Sequence, residues 1–309
     1  MESDIGYITG FINANDSVVI IGASEQLEEK DVAHSFVGIW RDKKWVTWEQ
    51  DFYIVTLDAG PAAHARASVL VGMTGEVFTI NDQGKTGVER IATGKNAPNR
   101  LRTLHEVRAI GAGFYVVGMR RQVFRRNITG GAWQKIDEGV FVPDSSRTIA
   151  GFLSVDGFGE SEIYAVGYSG EIWLYDGKKW RQIDSPTNAR LESVRCVNDR
   201  EVLICGEGGL ILRGRGDTWT EVPQDVTEED LLSLAWLGDT AYFATEDGTV
   251  LTLKSNRIQA LNIKTSKSDE PTTGVLDSNG KRLLSIGESD ILVFDGKRWQ
   301  SLSDPPFEV

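Results

Sequence analysis

The sequence predicts an all-β protein, a single seven-bladed β-propeller of four-stranded antiparallel blades spanning residues 1–309. Three observations predict it. Short apolar runs end in Gly or Asp-Gly turns, the unit they form recurs at a step of about forty residues, and no long helix-period run interrupts the pattern. Thirty-three glycines and nine tryptophans against eight prolines fit many short strands joined by tight turns.

The clearest unit is Glu162-Ile163-Tyr164-Ala165-Val166-Gly167, then Glu171-Ile172-Trp173-Leu174-Tyr175, then Asp176-Gly177-Lys178-Lys179-Trp180-Arg181-Gln182-Ile183. It reads strand, Gly turn, strand, Asp-Gly turn, strand, because tight hairpins demand positive φ and Gly supplies it. The run from Phe152 to Val155 adds a further strand ahead of it. The same grammar returns at Val202–Leu212 with Trp219, and at Leu283–Phe294 with Trp299. A degraded copy at Ala241–Leu253 has Ile258 in the tryptophan's place. Upstream copies run from Phe114 to Trp133, around Val69–Phe78, and from Val18 to Trp48, the first with a polar insertion between Gly22 and Phe36. One four-stranded blade cannot bury both its faces, so the copies predict a closed ring. Trp133, Trp180, Trp219 and Trp299 are predicted to pack between blades. Whether terminal strands share a blade is left open.

Hydrophobic residues at 40% and charged residues at 25% describe an ordinary globular chain. The net charge of −12 repels phosphate backbones and anionic lipids, which argues against nucleic acid or a membrane as partner. The segment Met1–Ile5 has no basic export region, so a cytoplasmic location is expected. Cys196 and Cys205 are spaced as on two arms of one hairpin, close enough to meet diagonally on a shared face, yet reduced thiols are expected in that compartment.

The Asp-Gly-Lys-Lys-Trp and Asp-Gly-Lys-Arg-Trp segments, 176–180 and 295–299, resemble the Asp-box repeats of sialidase-like propellers. The whole unit is similar to bacterial propellers related to photosystem assembly factors. This resemblance implies the fold. A sialidase activity would further need an arginine cluster with a Tyr and carboxylates, and no such set falls at matching positions.

Motifs of other chemistries are absent from the sequence. His34, His64 and His105 are scattered without zinc-ligand spacing and read as solvated loop residues. Gly206-Glu207-Gly208-Gly209 lacks the Gly-Lys-Ser/Thr ending of a phosphate loop. Thr227-Glu228-Glu229-Asp230 fits either a capping box or a polar connector. No cofactor and no metal are implied.

In a propeller the interblade linkers and the turns between second and third strands emerge at one end. That end receives Arg100, Arg102, Arg120, Arg121, Arg147 and Arg190, and, from other repeats, an acidic set including Glu25, Glu28, Glu29, Glu228, Glu246, Asp269 and Glu288. Such a two-signed face orients a protein partner. Arg100, Arg102, Arg120, Arg121 and Arg190 with Tyr168 are the candidate contact residues. Lys178 and Lys179 occupy turns at the opposite end and read as plain solvation. The expectation is a non-enzymatic protein that is a monomer when free and binds a protein. Its most concrete form is an immunity protein neutralising a secreted bacterial toxin. Two other readings are a glycan- or lactone-acting enzyme at the channel mouth, and an assembly or scaffold factor.

Overall fold

The computed structural model describes residues 4–60, 68–81, 84–92, 97–98, 102–265, 267–268 and 270–307. Seven antiparallel four-stranded sheets, each built from four consecutive strands, are the blades of a β-propeller. They cover 5–50, 54–90, 104–135, 152–183, 191–221, 231–261 and 275–301, numbered here as blades 1 to 7. Among the described residues no sheet mixes strands from the two ends of the sequence. Among the described residues helix is confined to Glu25–Glu29 and two 3-10 turns. The segment at Thr227 is a connector without helix, its hydroxyl accepting from the Glu229 N–H at 3.0 Å.

Residues 55–223, with most of blade 2 and blades 3 to 5, form one compact unit; residues 1–54 and 224–309, with blades 1, 6 and 7, form another. In the first unit each tryptophan works as the sequence predicts. Trp180 lies in a core with Tyr115 and Val117 of blade 3 and Phe152, Ile163 and Ala165 of its own blade 4. Trp219 of blade 5 packs with Tyr164, Ile172 and Ile183 of blade 4. Trp133 lies against a core shared by blades 2 and 3. In the second unit Trp299 of blade 7 packs against a core shared with blade 6. The register is common to the copies: Trp45, Trp180, Trp219, Ile258 and Trp299 pair with Trp40, Tyr175, Gly214, Leu253 and Phe294 of the preceding strand.

The first strand of each blade is innermost and has one edge unpaired, so its backbone donors need other acceptors. Side chains of the preceding blade supply them. In the 55–223 unit, Thr56 Oγ1 accepts from the Val107 N–H at 3.0 Å and Asp58 Oδ2 from Ala109 at 2.7 Å. Glu106 Oε2 accepts from Val155 at 2.7 Å, Ser154 Oγ from Val194 at 3.0 Å, and Asp156 Oδ2 from Cys196 at 2.8 Å. In the other unit Ser233 Oγ accepts from Leu276 at 3.0 Å and Asp277 Oδ2 from Ile12 at 2.9 Å. The equivalent inner-strand positions Asp58, Arg108, Asp156 and Arg195 alternate in sign. Arg195 reaches Glu106 at 2.9 Å, and Arg108 lies 3.8 Å from Asp58 and 3.9 Å from Asp156.

Residues 303–307 lie on blade 1. The Trp45 indole N–H donates to the Ser303 carbonyl at 2.8 Å, the Tyr7 hydroxyl to Asp304 at 3.2 Å, and the Phe307 ring sits 5.5 Å from that of Phe36. Burial, then the Asp304 charge, push the Tyr7 phenol well above its usual range.

Two expectations need correction. His34 is not solvated: it is 2% exposed, its Nε2 accepting from the Ser24 N–H and its Nδ1 donating to the Val32 carbonyl, both at 2.7 Å. These partners fix one neutral tautomer, and with it the base of the insertion that carries the helix Glu25–Glu29. His105 is likewise mostly buried, and burial lowers its pKa. His64 lies outside the described residues. The cysteines do sit on two arms of one hairpin, but Cys196 faces Val202 while Cys205 faces Ser193. The three-residue offset puts their side chains on opposite faces of the sheet, and both thiols are free. Burial pushes both thiols far above the usual range. Neither should therefore react with iodoacetamide in the folded protein at pH 8, and both should after denaturation. Native-state labelling followed by intact mass measures this; fast native labelling of Cys205 would contradict the packing.

Candidate functional site

The candidate residues that the structure describes sit around the end of the 55–223 unit where linkers and second-to-third-strand turns meet. Arg120 and Arg121 are the central pair of the turn Met119–Gln122 joining Gly113–Gly118 to Val123–Asn127. Their φ values of +62° and +54° are left-handed, as a two-residue type I′ hairpin requires. The equivalent turns of blades 4 and 5 use Ser169-Gly170 and Gly208-Gly209 for the same geometry. A left-handed non-Gly residue costs about 1–2 kcal/mol, so blade 3 carries two arginines where a relaxed turn would carry glycine.

What those arginines hold explains their presence. The Arg120 guanidinium donates to the carbonyls of Ser146 at 3.1 Å and Thr148 at 2.9 Å, and its own carbonyl accepts from the Val142 N–H at 2.9 Å. Arg102 forms a two-bonded ion pair with Asp144, Nε to Oδ1 being 3.0 Å, and lies 5.5 Å over the Phe141 ring. The Arg102 hydrogen bond holds the Asp144 carboxyl below its usual range, and the partnership raises Arg102 in turn. Both arginines therefore grip one segment, the linker 136–151 between blades 3 and 4. Tyr168, half-buried, joins it by its backbone, its N–H donating to the Gly151 carbonyl at 3.3 Å.

Arg121 turns to the next blade, where Glu171 accepts from its Nε at 2.7 Å and the Trp173 ring lies 5.2 Å away. With side-chain exposures of 18% and 10%, this pair is packed rather than presented. Arg190, at the following linker, pairs with Glu192 of its own blade, and its backbone N–H reaches Glu207 at 3.0 Å. It is not brought to the others. Arg100 lies outside the described residues, as does Asp269. The opposite-end turns are Asx turns: Asp176 Oδ1 accepts from Lys178 and Lys179 N–H at 2.9 Å each, and those amides hold its carboxyl below the usual range.

The inner-strand carboxylates that a channel-mouth enzyme would use are committed elsewhere. Asp58, Glu106 and Asp156 accept the next blade's amides and face Arg108 and Arg195. Among the described residues no group of three or more His, Cys, Asp or Glu side chains is placed to hold a metal ion. No helix there is long and apolar enough to cross a membrane.

The linker 136–151 itself was not singled out in the sequence. Its signal is length: 136–151 separates the strands of blades 3 and 4, whereas 184–190 suffices between blades 4 and 5.

The fold places this chain among the β-propellers, and its linkers and turns carry the variation that distinguishes one such protein from another. No protein-family model matches it. It is 34% identical over 297 residues to the Immune protein Tsi7 of Pseudomonas aeruginosa, covering 94% of this chain and 95% of that protein. The chain belongs to the Tsi7 family, one of immunity proteins rather than of enzymes, in agreement with the expectation from the sequence.

Proposed function

We propose that the protein is a bacterial immunity protein that neutralises a secreted toxin by direct binding, acting in the cytoplasm as a monomeric single domain until the toxin arrives. The observation that carries this reading is the match to the Tsi7 immune protein along almost the whole of both chains. The docking end is the one with the linkers and second-to-third-strand turns of the 55–223 unit. Supporting it are exposed apolar side chains: of the three large ones among the described residues of that unit, Met73 at 37% and Ile149 at 69% lie at this end, while Val88 at 69% lies on the outer strand Thr86–Arg90.

The test is protection. The tagged protein is purified from its native cell, the polypeptide that co-purifies in near-equal amount is identified, and that polypeptide is expressed alone in a sensitive host. The expected result is growth arrest by the polypeptide and recovery on co-expression of the propeller. A co-purifying polypeptide that is harmless alone, or whose toxicity the propeller does not relieve, overturns the reading. Association with a large multi-subunit complex instead would favour a scaffold factor.

A further inference from the structure

We propose that the linker 136–151 is a preorganised recognition loop, with Arg147 and Ile149 as contact residues and Arg102 and Arg120 as positioning residues. The proposal rests on the reading of this chain as a toxin-binding immunity protein. It names the element that does the binding.

Connections this long without secondary structure are uncommon in compact folds, and are usually either functional or disordered. This one is ordered. The Phe141 N–H donates to Asp137 at 3.1 Å, Val142 to Arg120 at 2.9 Å and Ser146 to Pro143 at 2.9 Å. Met119 pairs with Gly151 as an isolated bridge, and Val140 and Ala150 are buried at its two ends. The side chains of Arg102 and Arg120 close on it from two other segments, the linker before blade 3 and the left-handed turn of blade 3.

All this order leads to an exposed tip. Arg147, Thr148 and Ile149 are exposed, Ile149 at 69%, and Arg147 makes no ion pair among the described residues. An apolar side chain held in water on an ordered loop loses little conformational freedom when a partner covers it, which is the source of preorganised affinity. The bonds of Arg120 to the carbonyls of Ser146 and Thr148 bracket Arg147 and fix the chain immediately before Ile149.

The tip also states the chemistry of its partner. Ile149 fits an apolar hollow, and Arg147, two residues away, fits a carboxylate at the rim of that hollow. The partner is the toxin polypeptide, carrying such a hollow. The chain's charge of −12 draws a partner that is basic at long range, while the single Arg147–carboxylate contact sets register at short range.

The experiment uses the toxin that passes the protection assay, purified, with full-length propeller variants measured by titration and by melting curve. Ile149→Asp is expected to weaken binding about 100-fold, mostly through faster dissociation, and Arg147→Glu about tenfold. Ile149→Val should stay within about threefold of wild type. Arg120→Ala should weaken binding about tenfold alone but add little in the Ile149→Asp background, since it acts through the loop. Melting temperatures of the Arg147 and Ile149 variants should match wild type. The Lys178→Glu, Lys179→Glu double variant is the opposite-end control and should bind normally. If wild type binds while Ile149→Asp and Arg147→Glu bind equally well, the recognition loop is overturned. If the Lys178, Lys179 variant weakens binding instead, docking is at the other end. Should wild type neither bind nor protect, it is the immunity reading that fails.

Discussion

Replacing Trp180 by alanine is expected to lower stability by about 3–5 kcal/mol, the range for deleting a buried large aromatic. The side chain is 7% exposed, its ring stacks 5.9 Å from Phe152 and lies 5.0 Å from Tyr175, and its indole N–H donates to the Ile136 carbonyl at 2.9 Å. The loss therefore combines a cavity between two blades with an orphaned carbonyl. Because Ile136 opens the linker 136–151, part of the loss should reach the recognition loop. Urea titration followed by tryptophan fluorescence and far-ultraviolet dichroism measures the effect. A change under about 1 kcal/mol would show that the interface collapses around the gap. Trp180→Phe, which keeps the ring and loses the donor, should recover more than half of the loss.

Gly167→Ala is expected to be nearly as damaging, at about 3 kcal/mol, the upper end of what overpacking a closed site costs. The reason is steric. A Cβ there would lie 2.0 Å from the Gly151 carbonyl oxygen, which belongs to backbone and cannot swing aside. The close approach follows from a bulge, the register shifting between Phe152 and Ser154 opposite this glycine. Gly118, Gly206 and Gly287 meet the same obstacle, at 2.2 Å from Thr103, 2.1 Å from Arg190 and 2.3 Å from Thr272. Blade 6 offers the control, because Thr245 pairs with Leu231 at its equivalent position, where a side chain is already housed. Thr245→Ala should cost far less than Gly167→Ala; equal losses measured by thermal melting would refute the steric account.

These glycines explain why the blades were so readable. An apolar run closed by Gly marks the place where the backbone entering a blade presses on the second strand, so Val117-Gly118, Val166-Gly167, Cys205-Gly206 and Ile286-Gly287 repeat one physical constraint. The tryptophans repeat another, the filling of a gap between blades. What did not repeat could not be read. The acceptors that join inner strands occupy two positions of mixed chemistry: Thr56, Glu106, Ser154 and Ser233 at one, and Asp58, Asp156 and Asp277 at the other, where blades 3 and 5 carry Arg108 and Arg195 instead. His34 looked solvated because it closes a polar insertion, 25–31; in the fold it packs beside the Phe36 and Tyr53 rings, 5.6 and 5.9 Å away. The arginines of the candidate face were legible only as charges, since Arg190 is not brought to the others and Arg100 lies outside the described residues. Their partners were not, because Asp144 lies 42 positions from Arg102 and Glu171 lies 50 from Arg121. A charge read in isolation looks available, and Arg121 with Arg102 proved to be occupied.

The bonds to the inner-strand amides have a direction: a side chain of one blade accepts, and the main chain of the next donates. The donor is the peptide group, which every residue but proline possesses, so a blade needs no particular neighbour behind it and brings its own acceptor for whatever stands ahead. Copying the coding segment of a blade would carry half of each new joint in the duplicate and find the other half already in place. Two blades can then diverge in their turns, as the Arg-Arg and Gly-Gly hairpins have, without renegotiating the joint between them. An array assembled on such terms gains members by duplication and acquires a specific surface by revising one loop at a time.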